Sequence, residues 1–146
     1  MIIAQLATIP ERRHLLKRVV DSLAPQVDRL GIILNDIDTR GGLDIVVLLS
    51  VQAHDNIYIL DKPTNKGDCE KFFLLDDFKD AYIFTCDDDL IYPPDYVQTM
   101  IKHVDNFKRQ AIITLHGRTF KKLPIDSYYR GKRKGYHWDR PLNHYQ

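Results

Sequence analysis

Three consecutive carboxylates, Asp87-Asp88-Asp89, carry the most chemistry in this chain. They follow the apolar run Ala81-Tyr82-Ile83-Phe84-Thr85-Cys86 and precede Leu90-Ile91-Tyr92-Pro93-Pro94-Asp95. Adjacent acids repel one another and become tolerable when a divalent cation or another positive charge neutralises them. Hard oxygen ligands suit Mg²⁺ or Mn²⁺, ions that also bind substrate phosphates. If the strand continues through the acids, Asp87 and Asp89 lie on one side and Asp88 on the other, which assigns Asp87 and Asp89 to the metal and phosphate side. The competing reading is a solvated acidic turn that supplies negative charge to a helix start. The apolar run before the acids and the Pro-Pro pair after them favour the metal site.

The elements around the acids follow from patterning. Ala81 to Cys86 reads as a buried, central strand, because β-branched and aromatic residues fill a short run without a solvated face. Pro93 and Pro94 cannot sit in that strand but can open a helix. The acids therefore fall at the carboxyl end of a strand, where open α/β sheets bind ligands. Tyr96 to Phe107 places Val97, Met100, Ile101, Val104 and Phe107 at helical spacing.

Upstream, Ile2 to Thr8 predicts a first strand, with Pro10 stopping it and Thr8 able to cap the turn. Arg12 to Leu23 predicts a helix with Leu15, Leu16, Val19, Val20 and Leu23 on one face, ended by Pro25. Arg29 to Asn35 predicts a second strand and a parallel crossover. Asp44 to Ala53 is divided between buried strand and short helix, with residue types favouring strand. Asn56 to Leu60 predicts a strand, Asp61 to Asp68 a polar loop, and Cys69 to Phe78 a helix using Phe72, Phe73, Leu74 and Leu75. Ala111 to Leu115 predicts a strand beside the acid-tipped one, ending in His116-Gly117-Arg118. Ser127 to Tyr145 shows no periodicity. The alternation of strand and helix predicts an α/β three-layer sandwich, Rossmann-like, with a mostly parallel central sheet.

Composition sets the outer limits. With 146 residues the chain suffices for one core, and 44% hydrophobic with 28% charged residues is ordinary for a globular protein. A net charge of +1 gives no bulk attraction to nucleic acid or membrane. No apolar stretch approaches the ~20 residues of a membrane span, and the N-terminus does not read as a signal peptide. Two cysteines, Cys69 and Cys86, in unrelated contexts favour a reduced, cytoplasmic protein, although sequence alone leaves a disulfide open.

Four pieces in order resemble the nucleotide-sugar glycosyltransferases of the GT-A fold, family-2-like members in particular. They are Ala7-Thr8-Ile9-Pro10-Glu11-Arg12, Leu34-Asn35-Asp36, Asn65-Lys66-Gly67-Asp68 and Cys86-Asp87-Asp88-Asp89. The resemblance spans residues 1–120 and implies a nucleotide-sugar-binding domain there; 121–146 is an aromatic and basic tail, a candidate flap or acceptor element with a surface tail or an interface as the alternative. It implies that Thr8, Pro10 and Arg12 lie over the nucleotide. Asp36, or Asp38 in its place, contacts the base or ribose. Asn65, Lys66, Gly67 and Asp68 border the base and diphosphate, with Gly67 admitting a close backbone approach. Asp87 and Asp89 match the family's Asp-x-Asp, Asp88 faces the sugar or ribose, and Asp89 binds Mn²⁺ or Mg²⁺. A C-terminal histidine, His137 or His144, completes the metal shell. His116 reads first as a core-edge histidine.

The chain departs from that pattern in its general base. An inverting transferase must deprotonate the acceptor hydroxyl, and the acids after Leu115 are Asp126 and Asp139, neither in a convincing motif. The chain is also shorter than a typical complete GT-A domain, so the acceptor half is expected to be reduced or supplied elsewhere, and a truncated form to be inactive. The expected function is metal-dependent transfer of a hexosyl or N-acetylhexosaminyl group from a nucleotide-sugar donor, a UDP-sugar first, to a saccharide or other hydroxyl acceptor, with inversion. A Mg²⁺-dependent nucleotidyltransferase and a catalytically incomplete nucleotide-binding or assembly module remain alternatives. Nucleic acid is not an expected partner, and oligomerisation stays open.

Overall fold

The computed structural model describes residues 1–37, 45–62, 66–73, 77–120 and 133–137. Met1–Ile101 makes up most of one compact unit and Lys102–Pro141 forms another. The first unit is built on four strands, β1 (Ile2–Thr8), β2 (Arg29–Asn35), β3 (Ile57–Lys62) and β4 (Tyr82–Cys86), hydrogen-bonded in the order β3-β2-β1-β4. Every pairing is parallel. This is a small α/β fold with an all-parallel sheet, as the alternation of elements predicted. β1 and β2 are flanked by strands on both sides, and their runs Ile3, Ala4, Leu6 and Leu30, Ile32, Ile33, Leu34 are fully buried. Parallel strands covered on both faces read as continuous apolar runs for this reason.

A row of residues crosses the middle of the sheet in register: Gln5 on β1, Gly31 on β2 and Tyr58 on β3. Gly31 leaves room for the Tyr58 ring, whose nearest atoms would stand 2.6 Å from an added Cβ. The Tyr58 hydroxyl thereby reaches across β2 and accepts a hydrogen bond from Gln5 Nε2 at 2.9 Å.

Between β1 and β2 the chain winds into a 3-10 turn (Pro10–Arg12) and helix α1 (Leu16–Leu23). The helix begins four residues later than its periodicity suggested. Arg12, Leu15 and Leu16 each bond the carbonyl three residues back, so the entry is wound tightly until the apolar face docks. Leu16, Val19, Val20 and Leu23 supply that buried face. Thr8 does not cap this turn: Ile9 holds the cap position and no side chain bonds there. Ala24–Gln26 forms a second 3-10 turn around Pro25.

Asp44 to Ala53 leaned towards strand on residue type, but Ile45–Val51 is a helix, α2. Packing overrides propensity here. Val47 and Ser50, three apart, are buried as α2 packs on α1, and Ser50 Oγ bonds the Val46 carbonyl at 2.6 Å. The helix expected over Cys69 to Phe78 is instead a 3-10 turn, Gly67–Phe72, after which Phe73 is extended. It buries Glu70 and Lys71 and exposes Phe72 and Phe73, the reverse of the expected apolar contacts. Residues 74–76 lie outside the described residues.

β4 is not central. It pairs with β1 alone, at the edge of the sheet among the described residues, and Thr85 is exposed. Helix α3 (Tyr96–Asn106) follows, with Val97 and Met100 buried and Phe107 exposed beyond its end. Gln26 holds the start of α3, donating to the Pro93 carbonyl at 2.8 Å and accepting from Val97 N–H at 3.1 Å. Ala111 to Leu115 is not a strand, and Ile112 is 98% exposed. The strand begins only at β5 (His116–Phe120), which pairs antiparallel with β6 (Arg133–His137) in a separate two-stranded sheet. A short apolar run needs a partner to become a strand, and β6 lies in the stretch that showed no periodicity.

Among the described residues, no helix is long and apolar enough to cross a membrane. Cys69, exposed, and Cys86, buried, are both free thiols.

Candidate active site at the carboxyl end of the sheet

The carboxyl ends of β1, β2 and β4 converge under the Gly67–Phe72 turn, which contacts all three strands. β1 ends in Thr8 and β2 in Asn35, both buried. Thr8 Oγ1 and Asn35 Oδ1 have no hydrogen-bond partner among the described residues. Buried polar atoms are ordinarily paired, so two orphans at neighbouring strand ends call for a ligand or another explanation. The other half of the Asn35 amide is in use, donating weakly to the Gly67 carbonyl at 3.3 Å. Gly67 has a φ of +69°, which favours glycine, and the space where its Cβ would stand is open. Asp36, next along from Asn35, is exposed and also left-handed at φ 56°.

The acid triplet sits on the same end. Alternation along the strand stops at Cys86, because Asp88 and Asp89 already turn away from it. Asp88 faces inward and Asp87 and Asp89 face outward, while the cations group the acids differently. Arg12 Nη1 donates to Asp88 Oδ1 at 2.8 Å and lies 3.2 Å from Asp89 Oδ2. Lys71 Nζ lies 2.7 Å from Asp87 Oδ1 and 3.0 Å from Asp68 Oδ2. Asp88 is the inner member, with its side chain 5% exposed, whereas the side chains of Asp87 and Asp89 are open to solvent. The hydrogen bond to Asp88 raises the Arg12 guanidinium above its ordinary range, against a smaller opposing effect of burial. Burial pulls the Lys71 ammonium down, while hydrogen bonds to Asp87 and Asp68 push it up, and the net direction is up. Both stay charged at neutral pH.

A second layer fixes the triplet. The Tyr92 hydroxyl accepts from Asp87 N–H at 2.7 Å and donates to the Asp87 carbonyl at 3.3 Å. Tyr92 stacks at a tilt on Tyr96, 4.8 Å between ring centres, and Tyr96 meets Phe84 edge-on at 5.9 Å. Desolvation raises the Tyr92 phenol well above its ordinary range, so it keeps its proton. The Cys86 thiol, buried beside it, is pushed up to about 12 by desolvation, which removes it as a nucleophile at neutral pH.

The ion-paired set holds four carboxylates, Asp68, Asp87, Asp88 and Asp89, against two cations, Arg12 and Lys71. Among the described residues two formal negative charges are left over, the number that one divalent cation would balance. The donors are hard oxygens and fit Mg²⁺ or Mn²⁺ in kind. As arranged, however, no three His, Cys, Asp or Glu side chains among the described residues are gathered to hold a metal. A cation at Asp87 or Asp89 would share these carboxylates with Lys71 or Arg12.

The structure thus brings together Thr8, Arg12, Asp68 and Asp87–Asp89, with Pro10 opening the 3-10 turn that presents Arg12 and Gly67 starting the covering turn. Lys66 is exposed at the start of that covering turn, and its carbonyl accepts from Cys69 Sγ at 2.8 Å. Asn65, Asp38, Asp126, Asp139 and His144 lie outside the described residues. His137 ends β6 in the second unit, in register with His116. Lys71, Asn35 and Tyr92 were not singled out for a role from sequence. The signal for Asn35 was a polar residue closing an apolar strand. Lys71 had only its i,i+3 spacing from Asp68, which a helical reading of the segment hid. No family model matches the chain, and no curated protein matches it significantly.

Proposed function

We propose that the chain is a GT-A-like glycosyltransferase that moves a sugar from a nucleotide-sugar donor, a UDP-sugar first, to a hydroxyl acceptor, in a metal-dependent and inverting reaction. The observation that carries this reading is the carboxyl end of the parallel sheet. Two buried oxygens without a partner among the described residues, Thr8 Oγ1 and Asn35 Oδ1, stand there with an acid triplet that two cations already hold. Ligands of open α/β sheets bind at that end.

In this reading the oxygens of Thr8 and Asn35 take the nucleoside, and the backbone at Gly67 admits it closely. Arg12 and Lys71 offer fixed positive charge to the diphosphate. Asp89 and Asp87 would hold Mn²⁺ or Mg²⁺, which supplies electrostatic stabilisation to the departing diphosphate. Tyr92 holds the Asp87 backbone through two hydrogen bonds, and Tyr96 and Phe84 pack behind it. The general base is sought at Asp126 and Asp139.

Calorimetric titration of UDP and GDP, each with and without Mn²⁺, tests the reading. Metal-dependent UDP binding is the expected result. Failure of both nucleotides to bind overturns it. A nucleoside triphosphate that binds better than any nucleotide sugar would favour a Mg²⁺-dependent nucleotidyltransferase. UDP binding without hydrolysis or transfer would favour a catalytically incomplete nucleotide-binding module, a reading to which the engagement of all three acids by Arg12 and Lys71 lends support.

A further inference from the structure

The covering turn Gly67–Phe72 sorts its residues by threes, because positions i and i+3 of a 3-10 turn stack on one edge. Asp68 and Lys71 share an edge, where their side chains meet at 3.0 Å and Lys71 reaches Asp87. Cys69 and Phe72 share the exposed edge. Gly67 and Glu70 share the third. The Gly67 carbonyl accepts from Asn35 Nδ2 at the end of β2, and Glu70 is turned inward, only 5% exposed. No described residue donates to the Glu70 carboxylate, and its neighbour Lys71 is engaged by Asp87 and Asp68 instead. We propose that Glu70 and Asn35 form an acceptor subsite that takes a vicinal diol of a sugar ring. The inference rests on the nucleotide-sugar reading above and adds a binding residue and the group it recognises.

The unused atoms select the ligand. The Asn35 amide nitrogen is committed to Gly67, so the oxygen left over can only accept. An ionised carboxylate also only accepts. Buried acceptors without donors are costly. They disfavour a phosphate, whose oxygens are acceptors too, and they fit a group that brings hydrogens. A vicinal diol carries two adjacent O–H donors for the two oxygens of one carboxylate, and hydrogen bonds to an ionised acceptor are the stronger kind. The space where a Gly67 side chain would stand is open and Gly67 is exposed, so a ring can approach this edge from solvent. Lys71 faces the acid triplet from the neighbouring edge. The turn thus offers a donor towards β4 and acceptors towards β2.

The test is calorimetry on the full chain in the presence of Mn²⁺, with UDP, 2′,3′-dideoxy-UDP and UDP-glucose, for wild type and Glu70→Gln. If the diol is the ribose's, wild type binds UDP about tenfold more tightly than dideoxy-UDP, the scale of a hydrogen bond to a charged group. Glu70→Gln then lowers UDP to the dideoxy level and leaves dideoxy-UDP unchanged. If the diol is the hexose's, UDP-glucose loses about tenfold in Glu70→Gln while UDP does not change. Equal weakening of all three ligands marks a structural role and overturns the proposal, as does no change in any of them. Thermal melting checks folding, and Glu70→Ala serves if Glu70→Gln does not fold. Failure of both to fold assigns Glu70 to the fold and also overturns the proposal. If neither UDP nor GDP binds, the nucleotide reading falls by itself. Methyl ribofuranoside and methyl glucoside then decide the subsite through the Gly67 and Glu70 amide chemical shifts. Shifts in wild type that Glu70→Gln abolishes keep it, and no shift from either sugar overturns it.

Discussion

The two ends of the parallel sheet treat their polar groups in opposite ways. At the amino end, Asn56 donates both amide hydrogens, to the Ala24 carbonyl at 2.9 Å and the Val27 carbonyl at 2.8 Å. Its own carbonyl accepts from Leu30 N–H at 3.0 Å. Asp28 and Ile2 exchange two bonds, Ile2 N–H to Asp28 Oδ2 at 2.7 Å and Asp28 N–H to the Ile2 carbonyl at 2.9 Å. At the carboxyl end the corresponding asparagine, Asn35, makes one bond at 3.3 Å, and its oxygen, like the Thr8 hydroxyl, has no partner among the described residues. The first end is closed with hydrogen bonds that serve the fold. The second keeps buried hydrogen-bonding capacity that no described residue uses, which is the form a ligand site takes at a cost in stability.

The largest effect should come from opening the closed end. Asn56→Ala removes both bonds in the turn that joins α1 to β2 and leaves the Ala24 carbonyl with only the 3.4 Å bond from Val27 N–H, so a loss of about 2 kcal/mol is expected. Urea unfolding checks it, and a loss below about 0.5 kcal/mol would mean that water replaces the amide easily, which breaks the contrast between the ends.

The opposite sign is expected at the other end. Thr8→Val exchanges a buried hydroxyl without a partner among the described residues for a methyl group of the same shape. Removing a buried polar atom that lacks a partner should stabilise the chain by about 1 kcal/mol, read as a rise in Tm of about 2–4 °C. UDP affinity should fall in the same variant. Stability gained together with binding lost would sharpen the contrast. A drop in Tm would mean that the Thr8 hydroxyl serves the fold after all.

How much of this was legible in the sequence follows the range of the interactions. β1 and β2 were read with their boundaries intact, since Ile2–Thr8 and Arg29–Asn35 are apolar runs ended by a proline segment and by Asn-Asp. The buried face of α1 came from spacing alone. α2 misled because Ile45, Val46 and Val47 carry strand propensity, and only docking on α1 turns them helical. β4 misled because its apolar residues do not reveal how many neighbours the strand has, and it has one among the described residues. In the site, the acid triplet stood out locally, whereas its partners lie 76 residues away at Arg12 and 16 away at Lys71. No periodicity reports a pairing at those separations. The burial of Lys71 in place of Phe72 inverts what hydrophobicity would assign.

The smallest effect tests the charge state of the carboxyl end. Lys71 has its proton affinity raised in the folded chain above the ordinary lysine value of 10.5. A group raised on folding contributes stability that is fully present below the unfolded pKa and is lost as pH rises through the folded one. The stability difference between wild type and Lys71→Met should therefore stay constant from about pH 7 to pH 9.5 and change only from the ordinary lysine range upward. Its size should remain under about 1 kcal/mol, because Asp68 and half of Asp87 face solvent and screening weakens the network. Urea midpoints across that range measure it. A difference that already shifts below about pH 9 would mean that desolvation outweighs Asp87 and Asp68. Lys71 would then be an easily discharged lysine, and the carboxyl end would carry one fewer fixed positive charge.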